Sequence, residues 1–290
     1  MLFTVGLFPN TKKQGVATVL DWLIHFLQEQ KVNVRMPAEA AAIMEHPELG
    51  RSREVLGAEL TVALTLGGDG TLLCTAREVA PYGVPVCGIN MGQLGFLTEI
   101  ELADLAPSME RLIRGEYSIE DRPMLEAVVD RPEGALVAAA ALNDVVIAKG
   151  GFSRMIRLKL YIDGRLTANY PADGLIVATA TGATGYSLSA GGPIVSPNLP
   201  VTIITPICPH SLNTRSLVVS DTEEIRIETQ ATHEDIVLTV DGQTLHNLRS
   251  GDKILVRRSP FRARFVKLSG SSFYESLRTK LRRSDPDDPA

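Results

Sequence analysis

The stretch Thr65-Leu66-Gly67-Gly68-Asp69-Gly70-Thr71-Leu72-Leu73 decides the fold. An apolar, strand-like run, Thr61 to Leu66, leads into it, and a helix-like run, Thr71 to Ala80, leads out. Three glycines and one carboxylate thus occupy a strand-to-helix turn. Glycine has no side chain to hold a phosphate away, and it reaches positive-φ conformations that aim successive N–H groups into an anion-binding concavity. The N-terminus of the following helix adds partial positive charge. An acid set in such a turn suits a group that handles a hydroxyl proton beside a phosphate. The same acid can also simply cap the helix or brace the turn. The pattern GxxxxGK[ST] is absent, and Gly68-Asp69-Gly70 does not extend to GxGxxG because Leu73 holds the last position. Neither a P-loop nor a dinucleotide fingerprint is present.

Working outward, the first third alternates strands and helices. The opening strand Leu2 to Leu7 is followed by a helix that Asn10 or Thr11 can cap, running to about Gln30 with an apolar stripe of Val16, Val19, Leu20, Leu23, Ile24 and Leu27. A short strand, Val32 to Val34, and a polar region near residues 45–55 precede the glycine turn. Val84 to Ile89 reads as a further strand and Glu101 to Arg114 as a helix. This rhythm predicts a parallel sheet with helices packed on it, a Rossmann-like or phosphofructokinase-like α/β lobe over residues 1–120. After about Glu120 the chain becomes strand-rich. Residues 125–129, 134–141, 145–148, 156–162, 175–178, 201–205, 224–229, 236–240 and 253–257 all read as strands, with hairpin turns at Asp163-Gly164 and Asp241-Gly242. An all-β, sandwich-like lobe over 121–267 is implied, interrupted by a short helix within Thr184–Gly191. The amphipathic segment Phe273–Leu281 predicts a helix, so that 268–290 packs back on the first lobe, and Ser284–Ala290 reads as a frayed acidic tail.

A chain of 290 residues that is 44% hydrophobic can bury two modest cores, and its 22% charged residues match a globular protein. The net charge of −5 argues against general nucleic-acid or membrane-surface binding, so a phosphorylated ligand must be gripped locally. Cys74, Cys87 and Cys208 form an odd set in apolar segments, which predicts buried, reduced thiols, and no His/Cys cluster has zinc-ligand spacing. The first apolar run is too short for a signal sequence and lacks a basic flank, and no run approaches membrane-spanning length. A cytoplasmic protein is expected. His210 beside Ser211 lacks a GxSxG elbow and an acid partner, which argues against a hydrolase triad, while His233 and His246 look incidental.

Four segments together resemble the NAD kinase family: LGGDGTLL (66–73), NMGQLGFL (90–97), LNDVVI (142–147) and DGLIVATATGATGYSLSAGGPIVSP (173–197). ITPICPHSLNTR (204–215) and VDGQ (240–243) continue the likeness over nearly the whole chain. GGDGT alone is shared with lipid kinases and phosphofructokinases. The long second-lobe motif is the more specific signal. The resemblance implies phosphoryl transfer to the adenosine-ribose 2′-hydroxyl of NAD, with Asp69 as general base or orienting acid. Gly67, Gly68, Gly70 and Thr71 would line the phosphate path, and Mg²⁺ would arrive with ATP, since no dedicated metal cage is visible.

For NAD itself the resemblance points mainly to the second lobe, with the dinucleotide in the cleft between the lobes. Asn143 can complement an adenine edge, and Asp144 can accept from amino or hydroxyl donors, although Asn-Asp also suits a plain turn. Asp173 is implied against the nicotinamide half. Thr184, Gly185, Tyr186 and Ser189 match the family's contact segment, Asp69 and Gly70 face the same ligand, and Phe96 walls the cleft or joins the core. Arg154, Arg157 and Lys159 alternate with apolar residues, either as a solvated face or as phosphate contacts, and Arg154 is the one assigned to NAD. Where the family often reads STPTGSTAY, this chain has ATATGATGY (178–186), and Pro171 stands where a basic residue is common, which bears on the NAD-versus-NADH preference. Homodimers or homotetramers, with a neighbouring subunit completing the NAD site, are also implied. ATP or polyphosphate could serve as donor. A lipid or sphingoid-base kinase and a non-catalytic NAD(P) sensor are the competing readings. An apolar acceptor tunnel would favour the first, and loss of the turn acid the second.

Overall fold

The strand–helix rhythm of the first third builds one unit, and the strand-rich remainder builds another. The structure, a computed structural model, describes residues 3–92, 95–131, 134–151, 154–211, 213–231, 235–268 and 273–282. The chain divides into a unit that ends at Asp121 and resumes at Ala263, and a second unit, Arg122–Arg262. The acidic tail, His233 and part of the 90–97 motif lie outside the described residues.

The first unit contains β1 (Thr4–Pro9), α1 (Val16–Glu29), β2 (Asn33–Pro37), α2 (Ala38–Ile43), β3 (Gly50–Arg51), α3 (Arg53–Glu59), β4 (Val62–Gly67), α4 (Asp69–Val79), β5 (Val86–Asn90), β6 (Ile100–Glu101) and α5 (Leu105–Ile113). Its strands run parallel in the order β3-β2-β1-β4-β5, with β6 added beside β5. Val62, Ala63, Leu64 and Leu66 are completely buried, because helices cover both faces of a parallel strand. Each such leucine contributes about 1.5–3 kcal/mol of burial. In α1, Val16, Leu20, Leu23, Ile24 and Leu27 face this core.

Three expectations shift here. Asn10 and Thr11 do not cap α1: the Asn10 side chain accepts the Lys12 N–H at 3.2 Å in a local turn, and the helix begins only after Gly15, whose φ is 78°. The polar region near 45–55 is bordered by two helices, α2 and α3. Gly57 sits inside α3 because a Cβ there would strike the Tyr82 ring. Of the three thiols, all free, only Cys87 is buried; Cys74 points outward from α4, and Cys208 is exposed.

The second unit carries β7 (Ser118–Asp130), β8 (Leu136–Ala141), β9 (Asp144–Lys149), β10 (Ile156–Ile162), β11 (Arg165–Ala172), β12 (Gly174–Thr179), α6 (Tyr186–Ser189), β13 (Val201–Ile207), β14 (Leu217–Ser220), β15 (Ile225–Gln230), β16 (Ile236–Val240), β17 (Thr244–Leu248) and most of β18 (Lys253–Lys267). One sheet runs β14-β13-β12-β9-β16-β17, antiparallel throughout. The other places β11, β10, β15 and β18 side by side, again antiparallel. Their inner faces share a core, with Leu158, Ile227 and Ile254 from one sheet and Ile147, Val177 and Leu238 from the other. This is a β-sandwich. Both Asp-Gly pairs turn hairpins with left-handed φ at each residue, 45° and 75° at Asp163-Gly164 and 49° and 63° at Asp241-Gly242. The last helix, α7 (Phe273–Arg282), belongs to the first unit, where the Phe273 ring lies 6.5 Å from that of Phe96.

Candidate active site

In the first unit, β4 ends at Gly67 and α4 begins at Asp69, leaving Gly68 as the extended residue between them (φ −120°, ψ −168°). None of Gly67, Gly68 and Gly70 has positive φ, contrary to the expectation drawn from the turn. The glycines serve space instead. A Cβ at Gly67 would collide with the Thr71 side chain, whereas a Cβ at Gly68 would meet nothing, so the backbone there stands open.

Asp69, on the first turn of α4, reaches across to the loop after β5. Its Oδ2 accepts the Phe96 N–H at 2.7 Å and its Oδ1 accepts the Leu97 N–H at 3.1 Å. Gly95 makes this approach feasible, since a Cβ there would run into the carboxylate. The same loop is braced by Asn90, whose side chain exchanges two 3.1 Å bonds with the Gly92 backbone. Asp69 is therefore a half-buried acid with a fixed carboxylate plane, set in an open glycine turn. Phe96 is half-buried as well, with Phe273 and Lys280 against its ring.

In the second unit the candidate corner is the loop Leu142-Asn143-Asp144. Asp241 grips it from the β16–β17 turn: Oδ2 accepts the Leu142 N–H at 3.0 Å, and Oδ1 accepts those of Asn143 and Asp144 at 2.8 and 3.0 Å. The Thr179 hydroxyl holds the other side, donating to the Leu142 carbonyl at 2.6 Å. Gly182 packs so closely that a Cβ there would collide with the Asn143 carbonyl. The Asn143 side chain is presented by this frame. Its Oδ1 is buried without a hydrogen-bond donor among the described residues, and its Nδ2 lies 3.3 Å from where a Cβ of Gly185 would stand. Asp144 is only 5% exposed. Burial, and then the charge of Asp241, push its carboxyl up to about 7.

Asn143, Asp144 and Gly185 thus come together, with Thr184 and Tyr186 flanking Gly185. The Thr184 hydroxyl donates to the Thr181 carbonyl at 3.3 Å, and Tyr186 is 47% exposed. Ser189 faces solvent, while Ser187, two residues earlier, is buried against the Thr205 hydroxyl at 3.0 Å. Asp173 is not at this corner. It pairs with Lys149 Nζ at 3.0 Å at the far end of β9, five residues or roughly 17 Å along the strand from Asp144. Arg154 is exposed just before β10. Asp241 was legible only as a hairpin turn and as part of VDGQ; its role as the anchor of Asn143 needed the fold. Among the described residues, no group of three or more His, Cys, Asp or Glu is arranged to hold a metal ion, and no helix is long and apolar enough to cross a membrane.

Two family models match in tandem: the ATP-NAD kinase N-terminal domain over residues 5–117 and the ATP-NAD kinase C-terminal domain over residues 142–268. The chain belongs to the NAD kinase family. Among curated relatives, the NAD kinase of Moorella thermoacetica is 50% identical over 99% of this chain and 93% of its own length. That of Natranaerobius thermophilus is 44% identical over 96% and 97%. Among solved structures, yeast NADH kinase complexed with NADH superposes with a TM-score of 0.89 at 26% identity, covering 100% of this chain and 89% of the other. An NAD kinase from Archaeoglobus fulgidus in complex with ATP gives 0.76 at 26% identity, covering 97% and 99%. Membership makes the chain a phosphotransferase, and neither the lipid-kinase nor the sensor reading is favoured.

Proposed function

We propose that the chain phosphorylates the adenosine-ribose 2′-hydroxyl of NAD to give NADP, with Mg-ATP as donor. The observation that carries this reading is the Asp69 carboxylate held by the Phe96 and Leu97 N–H groups in an open glycine turn. In the reaction, the 2′-oxygen attacks the γ-phosphorus, the bond from that phosphorus to the bridging oxygen breaks, and the 2′-hydroxyl proton passes to Asp69. A carboxylate cannot strip a sugar hydroxyl beforehand. It holds the hydroxyl in line and takes the proton as the new bond forms. Mg²⁺ bound to the donor would supply charge neutralisation of the phosphates, arriving with ATP rather than in a protein cage. Gly67, Gly68, Gly70 and Thr71 leave room for that chain of phosphates.

NAD recognition is assigned to the Asn143 corner. The orphaned Asn143 Oδ1 is an acceptor waiting for a donor such as an adenine amino group, and Asp144 adds a second acceptor when ionised. Thr184, Gly185, Tyr186 and, more weakly, Ser189 and Phe96 complete the ligand wall. The separation along β9 between Asp144 and the Lys149–Asp173 pair suits the two ends of an extended dinucleotide, with Asp173 serving the nicotinamide half and Arg154 a phosphate, in part on a neighbouring subunit. The same reading makes the assembly a homodimer or homotetramer, as the family resemblance implies. Free thiols fit a cytoplasmic setting.

The test is NADP formation from NAD with Mg-ATP, and in parallel with polyphosphate, for the wild-type chain and Asp69→Asn. Formation in the wild type and its collapse in the variant are expected. Absence of NADP with either donor, from folded and assembled protein, overturns the proposal.

A further inference from the structure

We propose that Lys280, on the C-terminal helix, is a further catalytic residue: it contacts the phosphoryl group in transit and supplies the cation that the glycine turn lacks. This rests on the kinase reading above. Phosphoryl transfer spreads negative charge over three equatorial oxygens, and a protein speeds it chiefly by placing positive charge around them. The turn from Gly67 to Leu73 contains no Lys or Arg, and its acid adds negative charge.

The structure brings a cation to that turn from more than 200 residues away in sequence. Phe273, Leu277 and Lys280 occupy one face of α7 at helical spacing. Phe273 sets the helix against Phe96, and the Lys280 ammonium lies 3.9 Å from the centroid of the same Phe96 ring. The Phe96 N–H is one of the two that hold Asp69. One residue therefore fixes the acid through its backbone and the ammonium through its ring. Lys280 is half-buried. Burial lowers its proton affinity and the charge of Asp69 works the other way, so the two groups sense each other. An ammonium drawn partly out of water attracts phosphate oxygens more strongly than one on an open surface, and a ring face holds it by a weak, exchangeable contact. On the arrival of Mg-ATP, the ammonium swings from the ring to the γ-phosphate oxygens.

The alternative role for Lys280 is to staple α7 in place. Lys280→Met keeps the stem length and the stacking on Phe96 while removing the charge, and Lys280→Arg keeps the charge. The measurements are kcat, the KM values for ATP and NAD, Mg-ATP affinity by calorimetry without NAD, and Tm. Expected for Lys280→Met is a 10- to 100-fold fall in kcat and about tenfold weaker Mg-ATP binding, with KM for NAD and Tm unchanged. Lys280→Arg retains activity to within about fivefold. Unchanged kcat and Mg-ATP affinity in Lys280→Met overturn the proposal, as do parallel losses of Tm and activity in both variants. Because Mg-ATP binding is read without NAD, and wild-type NADP formation in the same series tests the kinase reading, the two ideas fail separately.

Discussion

Two regions of this molecule use the same device for opposite ends. In the α/β unit, two backbone N–H groups hold Asp69 by both of its oxygens. In the β unit, three backbone N–H groups converge on Asp241. Asp69 is half-buried in an open glycine turn, where the proposed reaction puts its orientation to chemical use. Asp241 spends its acceptors on a loop, and what it presents is another residue, Asn143, whose Oδ1 finds no donor among the described residues. Carboxylate cradles alone do not mark a catalytic acid; what surrounds the cradle does. The sharpest break between the two is Asp69→Asn. The amide keeps the size and one acceptor but cannot take a proton, so kcat is expected to fall by about 10²–10⁴, while the one N–H left facing the amide NH2 costs about 1–3 kcal/mol and lowers Tm by only a few degrees. A Tm loss matching the activity loss would make Asp69 a structural acid like Asp241.

The converse experiment is Asp241→Ala. Three N–H donors lose their acceptor, and unsatisfied buried donors cost about 1–3 kcal/mol each before relaxation. Alanine also tolerates the φ of 49° at this position less well than aspartate does. A net destabilisation of about 2–4 kcal/mol is expected, partly offset because Asp144 loses a like-charged neighbour. KM for NAD should rise more than kcat falls, since Asn143 loses its frame. Chemical denaturation and steady-state kinetics read the two effects. Full stability with lost kcat would instead place Asp241 in the chemistry.

The two regions also differ in how far the linear sequence reveals them. The turn around Asp69 is local: a fully apolar strand, three glycines and a helix lie within about twenty residues, so both the parallel sheet and the acid are legible. The reason for the glycines is not, because steric room beside Thr71 and across to Gly95 depends on distant chain, whereas positive φ is only a general habit of glycine. The Asn143 corner depends on Asp241, 98 residues away, and on Thr179, neither of which carries a local signal of that role. The strands β11, β14 and β17 escaped notice because they alternate with exposed residues or are short, as at Leu217–Ser220. Helices α2 and α3 are too short for periodicity to show, and a glycine interrupts the second.

Asp144 gives the comparison a pH axis. Its carboxyl sits at about 7 in the folded chain against an ordinary value of 3.8. Between those values the unfolded chain has released a proton that the folded chain keeps. Stability from this group is therefore complete below about pH 4, declines as pH rises to about 7, and is level above that. The loss amounts to a few kcal/mol, in order of magnitude. Asp144→Asn removes this dependence, so the variant should gain stability relative to the wild type at pH 8 and gain little or nothing at pH 4. An identical difference at both pH values would show that Asp144 ionises normally and that Asp241 does not press on it.

The smallest effect expected is at Gly185, where the two regions differ in tolerance. At Gly95 a Cβ would enter the Asp69 carboxylate itself, but at Gly185 it would stand 3.3 Å from Asn143 Nδ2 and from the Gly182 carbonyl, and 3.7 Å from Asp144. A shift of a few tenths of an ångström relieves such contacts, and the part that yields most readily is the Asn143 amide, because the Gly182 carbonyl is backbone and the Asp144 oxygen already stands at ordinary contact distance. Gly185→Ala is therefore expected to raise KM for NAD by about two- to fivefold, leaving KM for ATP and kcat within twofold, because a small displacement of one hydrogen-bonding group costs a fraction of the bond. If kcat falls and KM for NAD does not, the Asn143 amide acts on the reacting centre rather than on dinucleotide binding, and the division of labour between the two regions is wrong.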